Sequence, residues 1–326
     1  MQKKYKVGDG VFATTNAEHG RIELYSKGGT LWPDWLERTG IDRERVESIR
    51  VAEGTLFLPE DMRGYNEDTE KHMMFGGLYT STIDLRGVDT SRVKNMSMIF
   101  ADCTYLEELD VSGFNTSNVT DMSSMFWGCN SLSSLNLSAF DTSGVVDMNN
   151  MFFGCVSLLS LNLNGFDTSK VKDMGWMFEG CGSLKTLDLS MFNTSSTTRM
   201  TEMFHACDHL QKLDLSNFNT SHITNISGMF EGCKSLKSLD ISSFDTSKVM
   251  NMSGMFCECY GLTELDLHNF DMSFVQSAEY MFKRCMNLRL IKMPALINSW
   301  AITDGMFDGC SKNIKIETNH GDPSIP

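Results

Sequence analysis

Cysteine is the residue of this chain whose spacing most directly suggests chemistry. Eight of the ten cysteines stand 26 residues apart and a ninth follows 25 residues later, whereas Cys257 lies outside the series. The series comprises Cys103, Cys129, Cys155, Cys181, Cys207, Cys233, Cys259, Cys285 and Cys310. A metal site needs ligands that converge at bonding distance, and no histidine or carboxylate column accompanies these cysteines. We therefore expect buried thiols that pack as small apolar groups, and no metal site.

Histidine and serine offer little else for catalysis. His205 and His209 stand four apart, a spacing that would place both on one face of a helix, but two histidines alone are a weak metal motif. The serines include no G-x-S-x-G elbow, and the chain has no phosphate-binding or dinucleotide-binding glycine motif. We expect a protein that is not an enzyme and that carries no cofactor.

The residues around each cysteine repeat as well, and DMSSMFWGC (121–129) is representative. Its methionines and phenylalanine recur at helical spacing, which predicts a short helix of about two turns. Asp121 stands where an Asx side chain caps backbone N–H groups, and Gly128 where a helix ends with positive φ. The L-x-x-L-x-L pattern after the cysteine predicts a short strand. The Phe-Asx-Thr-Ser motif that closes the repeat predicts a turn, because its side chains can bond to nearby backbone.

One such unit cannot bury its own apolar face, so the copies must stack. We predict an α/β repeat solenoid, a right-handed leucine-rich-repeat-like stack with a parallel β-sheet and short helices, capped at the N-terminus. Residues 1–71 are expected to form this N-terminal cap with strands and a short helix. Residues 72–310 would form about nine rungs of 26 residues, and residues 311–326 a C-terminal cap and tail.

The charge of the chain argues against two classes of partner. The formal net charge is -14, with 42 acidic and 28 basic residues, whereas nucleic acids and anionic membranes favour clusters of Lys and Arg. No apolar run reaches the roughly 18 to 20 residues that span a bilayer, and neither a signal peptide nor an anchor motif is visible. We expect no nucleic-acid binding and no membrane insertion.

Binding is expected where the repeat varies. Trp127 and Phe153 stand two positions before the cysteine in successive repeats, and Trp176 lies three residues earlier in the next one. These three side chains would form an exposed aromatic strip of the kind that marks interaction sites, unless a cap, a second copy or local packing covers them. The outward side of the sheet is a second candidate binding surface. Its residues are Glu107, Glu108, Lys185, Lys212, Lys237 and Glu264.

Aspartates form two further columns, one on the sheet and one at the turn. Asp188, Asp214 and Asp240 belong to the column on the sheet. Stacked carboxylates repel one another, and a bound calcium ion would relieve the repulsion. Asparagines occupy many of the same positions and dilute the charge, so we favour hydrogen-bonded structural ladders over calcium sites.

The repeat as a whole resembles a known family. The consensus F-[DN]-T-S-x-V-x-[DN]-M-S-x-M-F-x-G-C-x-S-L-x-x-L-[DN]-L covers about residues 72–310, and it resembles the repeat of the BspA-like leucine-rich-repeat surface proteins of mucosal bacteria, mycoplasmas and mucosal protists. The resemblance implies a solenoid that is secreted or on the cell surface and that adheres to host or microbial proteins or glycans. Our hypothesis is therefore a non-enzymatic bacterial adhesin or ligand-binding module. The alternative is an intracellular or assembly scaffold that self-associates through the aromatic strip, and the oligomeric state is open.

Overall fold

The computed structural model describes residues 3–16, 20–62, 74–294 and 297–318. The chain divides into two compact units, Met1–Phe166 and Asp167–Pro326. In each unit, short strands of successive repeats pair in parallel, so that each unit is a β-solenoid. The two units together contain about 11 turns of the solenoid.

The first unit begins with a hairpin whose second strand starts the parallel sheet. Its strands are β1 (Lys3–Asn16), β2 (Arg21–Leu31), β3 (Ser48–Glu53), β4 (Leu56–Phe57), β5 (Thr82–Asp84), β6 (Val88–Asp89), β7 (Glu108–Leu109), β8 (Ser134–Asn136) and β9 (Ser160–Asn162). β1 pairs with β2 in antiparallel fashion, and β2 pairs in parallel with both β3 and β4. Parallel pairing continues from β3 through β5 to β7, from β4 to β6, and between β8 and β9.

The non-repeating first residues join the same sheet as the repeats. Ile49 in β3 aligns with Ile83 in β5, so the parallel ladder already includes strands that precede residue 72. The short helix expected here is reduced to two 3₁₀ helices of three residues, Glu37–Thr39 and Arg43–Arg45. Trp35 is buried just before them, and its indole N–H donates to Met74 O at 2.9 Å. The division into cap, rungs and tail stays a prediction.

The second unit repeats the parallel pairing over its own residues. Its strands are β10 (Glu264–Asp266), β11 (Leu290–Met293) and β12 (Lys315–Thr318), which pair in that order. Earlier repeats of this unit make single parallel bridges, as between Thr186 and Lys212 and between Asp214 and Asp240. The sheet strands are short because one rung supplies only two to four residues to each of them.

The short helices predicted before each cysteine are wrong, because this segment is a succession of tight turns. In 121–129, Trp127 N–H donates to Ser124 O, three residues back, at 3.1 Å. The N–H of Phe126 reaches across to the next repeat and donates to Met151 O at 2.9 Å. Ser124 has a φ of 54°, which a right-handed helix excludes. Hydrogen bonds between repeats therefore take the place of α-helical hydrogen bonds, in which each N–H donates to the C=O four residues back.

The interior of each unit contains a column of stacked phenylalanines three positions before the cysteines. Ring centroids of successive members lie 5.7–6.1 Å apart from Phe75 to Phe152 in the first unit. They lie 5.3–5.8 Å apart from Phe178 to Phe307 in the second unit. The paired methionines of the motif are buried beside them. These inward positions are the ones that the sequence spacing predicts.

The cysteines form a second interior column. All ten are free, and nine of them are buried. Thiols of the regular series donate to a phenylalanine carbonyl of the preceding repeat wherever their contact is described. Cys129 Sγ, for example, donates to Phe100 O at 3.2 Å. Burial raises the pKa of Cys103 and of Cys155 to about 12, so these thiols stay protonated at neutral pH. The cysteines therefore pack as small hydrogen-bonded groups, as expected.

Threonines of the Phe-Asx-Thr-Ser motif form a third ladder. Oγ1 of the buried Thr168 donates to Asn193 O at 3.0 Å and accepts the N–H of the same residue at 2.8 Å. The preceding Asx side chain makes the local turn, since Asn115 Oδ1 accepts the N–H of Ser117 at 3.1 Å. The predicted turn is confirmed, but its threonine bonds to the next repeat and not to nearby backbone.

Within the described residues, no helix is both long and apolar enough to cross a bilayer. The right-handed winding and the role of the first residues as a cap stay predictions.

Candidate binding surfaces

The structure brings Trp127 and Phe153 together on the surface of the first unit. Their ring centroids are 6.1 Å apart and their planes are inclined by 27°. Trp127 is 37% exposed, and Phe153 is half-buried. Gly128 N–H donates to Phe153 O at 2.7 Å, which joins the two turns that carry the rings. This aromatic pair is therefore presented by a backbone that is hydrogen-bonded between repeats.

Trp176, the third residue of the predicted strip, belongs to the second unit. It is half-buried and has a φ of 56°. Burial raises the pKa of the nearby Glu202 carboxyl, and the indole of Trp176 acts on it in the opposite direction. Two of the three predicted residues are brought together, and the complete aromatic strip stays a prediction.

The six residues of the predicted sheet face are all exposed. Glu107 and Glu108 lie in the first unit, and the other four lie in the second. Lys237 lines a shallow groove together with Tyr260 and Asn287. The mixture of acidic and basic groups is compatible with a polar partner, and the binding role of this face stays a prediction.

The aspartate column on the sheet has a structural use. Asp188, Asp214 and Asp240 each accept, through Oδ1, the backbone N–H of the residue two positions later at 3.0 Å. These bonds hold the pKa of each carboxyl below its usual range, because they favour the charged form. Each of these carboxylates therefore stabilises its own turn, and the choice between a ladder from repeat to repeat and a calcium site stays a prediction.

Sequence reasoning missed a cluster of ionisable side chains in the second unit. His205 Nδ1 lies 3.0 Å from Glu179 Oε1 and 3.4 Å from Glu202 Oε2. One nitrogen or oxygen atom from each of the three residues lies within 4.8 Å of the others. The side chains are 31%, 16% and 34% exposed for His205, Glu179 and Glu202. The arrangement is a half-buried set of one imidazole and two carboxylates.

The pKa shifts in this cluster follow from its concentrated negative charge. The hydrogen bond to Glu179 and the charges of Glu179, Glu231 and Glu202 raise the pKa of His205, against an opposing effect of burial. Burial and the charge of Glu179 raise the pKa of Glu202. Three carboxylates thus act on one imidazole, so acidic side chains outnumber basic ones in this cluster.

A signal for this cluster was present in the repeat. Glu179, His205 and Glu231 stand 26 residues apart, at the variable position two before the cysteine. The four-residue spacing of His205 and His209 would bring the two side chains together only in a helix. In the structure His209 Nδ1 instead lies 2.6 Å from Gly182 O. The relevant neighbours of His205 are one repeat away and not one helical turn away.

Three solved structures are similar to this chain at low identity. A leucine-rich repeat protein from Eubacterium ventriosum is 14% identical with a TM-score of 0.36, and the match covers 100% of this chain and 98% of that one. A leucine rich cell surface protein from Faecalibacterium prausnitzii is 15% identical with a TM-score of 0.29, covering 99% and 96%. A leucine-rich repeat protein from Bacteroides ovatus is 16% identical with a TM-score of 0.23, covering 94% and 93%.

The family comparison is more direct. No curated protein matches the chain. The model of one family, described as "Mycoplasma protein of unknown function, DUF285", matches residues 67–158, 129–215 and 207–318. These overlapping matches extend over the repeats of both units and over well more than half of the chain. The protein therefore belongs to the DUF285 family.

Proposed function

We propose that this protein is a non-enzymatic adhesive or ligand-binding module, which is secreted or at a cell surface and binds host or microbial proteins or glycans. The observation that carries the proposal is the aromatic pair Trp127–Phe153. Trp127 is partly exposed although it belongs to a repeat whose other large apolar side chains are buried. Exposed, stacked aromatic rings on a rigid support are typical of the central residues of protein interfaces.

The regular backbone explains how such a surface is built. Inter-repeat hydrogen bonds and the buried Phe, Met and Cys columns recur from repeat to repeat along the described residues. Residues outside these columns are free to differ without loss of the fold, and the position of Trp127 and Phe153 is one of them. Surface location and adhesion are supported by the resemblance of the repeat to the BspA-like proteins.

The test is a pull-down with the immobilised full chain from extracellular-matrix or mucosal extract. The triple variant Trp127→Ser, Phe153→Ser, Trp176→Ser should lose about tenfold or more of each specifically captured protein, because truncated hot-spot aromatics cost about 2 kcal/mol or more. Phe274→Ser is the matched control, since Phe274 is a 65% exposed aromatic residue outside both candidate surfaces. It should bind as the unaltered chain does.

Two results would contradict the proposal. One is capture by the triple variant at the level of the unaltered chain, with circular dichroism showing that the variant is folded. The other is a chain that light scattering shows to be an oligomer and that becomes monomeric in the triple variant. In that case the aromatic residues would serve self-association, as the alternative hypothesis holds.

A further inference from the structure

The cluster of Glu179, Glu202 and His205 has the dimensions of a metal site. All three ligand atoms lie within 4.8 Å of one another, and the two closest are 3.0 Å apart. Ligand bonds of about 2.1 Å to zinc place neighbouring tetrahedral ligands about 3.4 Å apart. The three atoms therefore need only small side-chain movements to coordinate one ion.

A buried oxygen of Glu179 points independently to a missing partner. While Oε1 faces His205, Oε2 is shielded from solvent and has no hydrogen-bond partner among the described residues. A buried carboxylate oxygen in this state loses its hydration without compensation, which is uncommon in folded proteins and costly. A cation bound between the three side chains would supply the compensation.

The surrounding charge also favours a cation. Glu231, one repeat after His205, adds a third carboxylate that acts electrostatically on His205 and on Glu202. The cluster thus combines three carboxylates with one imidazole. A divalent cation would balance this concentration of negative charge.

We propose that Glu179, Glu202 and His205 bind one divalent transition-metal ion, with Zn²⁺ as the best-fitting common ion and the remaining coordination positions open to water. The imidazole nitrogen distinguishes this ligand set from the all-oxygen sets that Ca²⁺ and Mg²⁺ prefer. Three protein ligands with an open position differ from the closed four-ligand sets of structural zinc sites. The proposal goes beyond the binding function above and does not depend on it.

The test is calorimetric titration of the chelator-treated full chain with Zn²⁺ at pH 7.5. One ion should bind per chain, and His205→Gln and Glu179→Gln should each weaken binding by about tenfold or more. His209→Gln is the matched control, because His209 is an exposed histidine nearby whose Nδ1 faces a backbone carbonyl. It should bind Zn²⁺ as the unaltered chain does. Thermal melting of each variant without metal shows whether it is folded.

Co²⁺ absorption identifies the ligand atoms in the same samples. Nitrogen and oxygen ligands give weak visible bands, whereas a thiolate ligand adds an intense near-ultraviolet band. The proposal is overturned if Zn²⁺ does not bind, if folded His205→Gln binds it unchanged, if the thiolate band appears, or if Ca²⁺ binds and Zn²⁺ does not.

Discussion

At the residue scale, the most unusual feature is a left-handed backbone at the same two places in each repeat. The position five before the cysteine has positive φ even where it is not glycine, as at Ser124, Trp176 and Tyr280. The position directly before the cysteine has positive φ too, and glycine is common there. A non-glycine residue in this conformation costs about 1–2 kcal/mol. The inter-repeat hydrogen bonds formed by these turns offset that cost.

Gly128→Ala tests this interpretation. Gly128 has a φ of 71°, and an added Cβ would meet nothing closer than 3.4 Å, so the cost comes from the backbone and not from a clash. We expect the free energy of unfolding to fall by about 1 kcal/mol in urea denaturation. Gly113→Ala is the control, because a Cβ there meets open space and its φ is not positive. That variant should be unchanged or slightly stabilised, and an equal loss in both variants would contradict the interpretation.

At the element scale, the repeat is stabilised by ladders and not by helices. The threonine ladder is the clearest case, because several of its threonines, such as Thr168 and Thr246, bond to both backbone groups of one residue in the next repeat. Oγ1 of Thr194 donates to Asn219 O at 3.0 Å and accepts its N–H at 2.7 Å. Since Thr194 is buried, water cannot replace these bonds.

Thr194→Val should therefore be costly although the two side chains have nearly the same shape. The substitution leaves the N–H and the C=O of Asn219 without their partner, and we expect the free energy of unfolding to fall by about 2 kcal/mol. Thr186→Val is the control, because Thr186 is exposed and also lies in a bridge between repeats. Its effect should stay within about 0.5 kcal/mol. Equal urea midpoints for the two variants would show that the ladder contributes little.

At the scale of the whole molecule, stability should be a sum of contacts between neighbouring repeats. Contacts in the second unit link residues about 26 positions apart, as in the bridges Thr186–Lys212 and Asn225–Asn251. A chain of this type has no single long-range contact on which the rest depends. Loss of one complete repeat should then leave the remaining repeats in compatible register.

Deletion of residues 208–233 provides the test. It joins Cys207 to Lys234 and leaves the 26-residue period intact. We expect a folded protein with an unchanged circular dichroism spectrum per residue and a smaller urea m value, because less surface is exposed on unfolding. Deletion of only residues 208–220 breaks the period and should abolish the folded state. A folded protein after the half-period deletion would argue against register-dependent stacking.

The period of the repeat and the residues of its interior follow from the amino-acid sequence alone. Cys129 and Phe126 stand in the columns that the spacing predicts, because inward-facing positions must recur at a fixed interval in any stack of identical repeats. The spacing also shows which positions vary, and Trp127 is exposed at one of them.

The turns that the backbone forms between Met122 and Cys129 are a property of the folded stack and are not encoded in the spacing. A helix and a turn ladder bury the same side chains, and they differ in bonds that exist only after the repeats have stacked. The same holds for Glu179 and His205, which are 26 residues apart in the chain and 3.0 Å apart in the fold. Their contact forms only when the repeats stack, so no local sequence pattern predicts it.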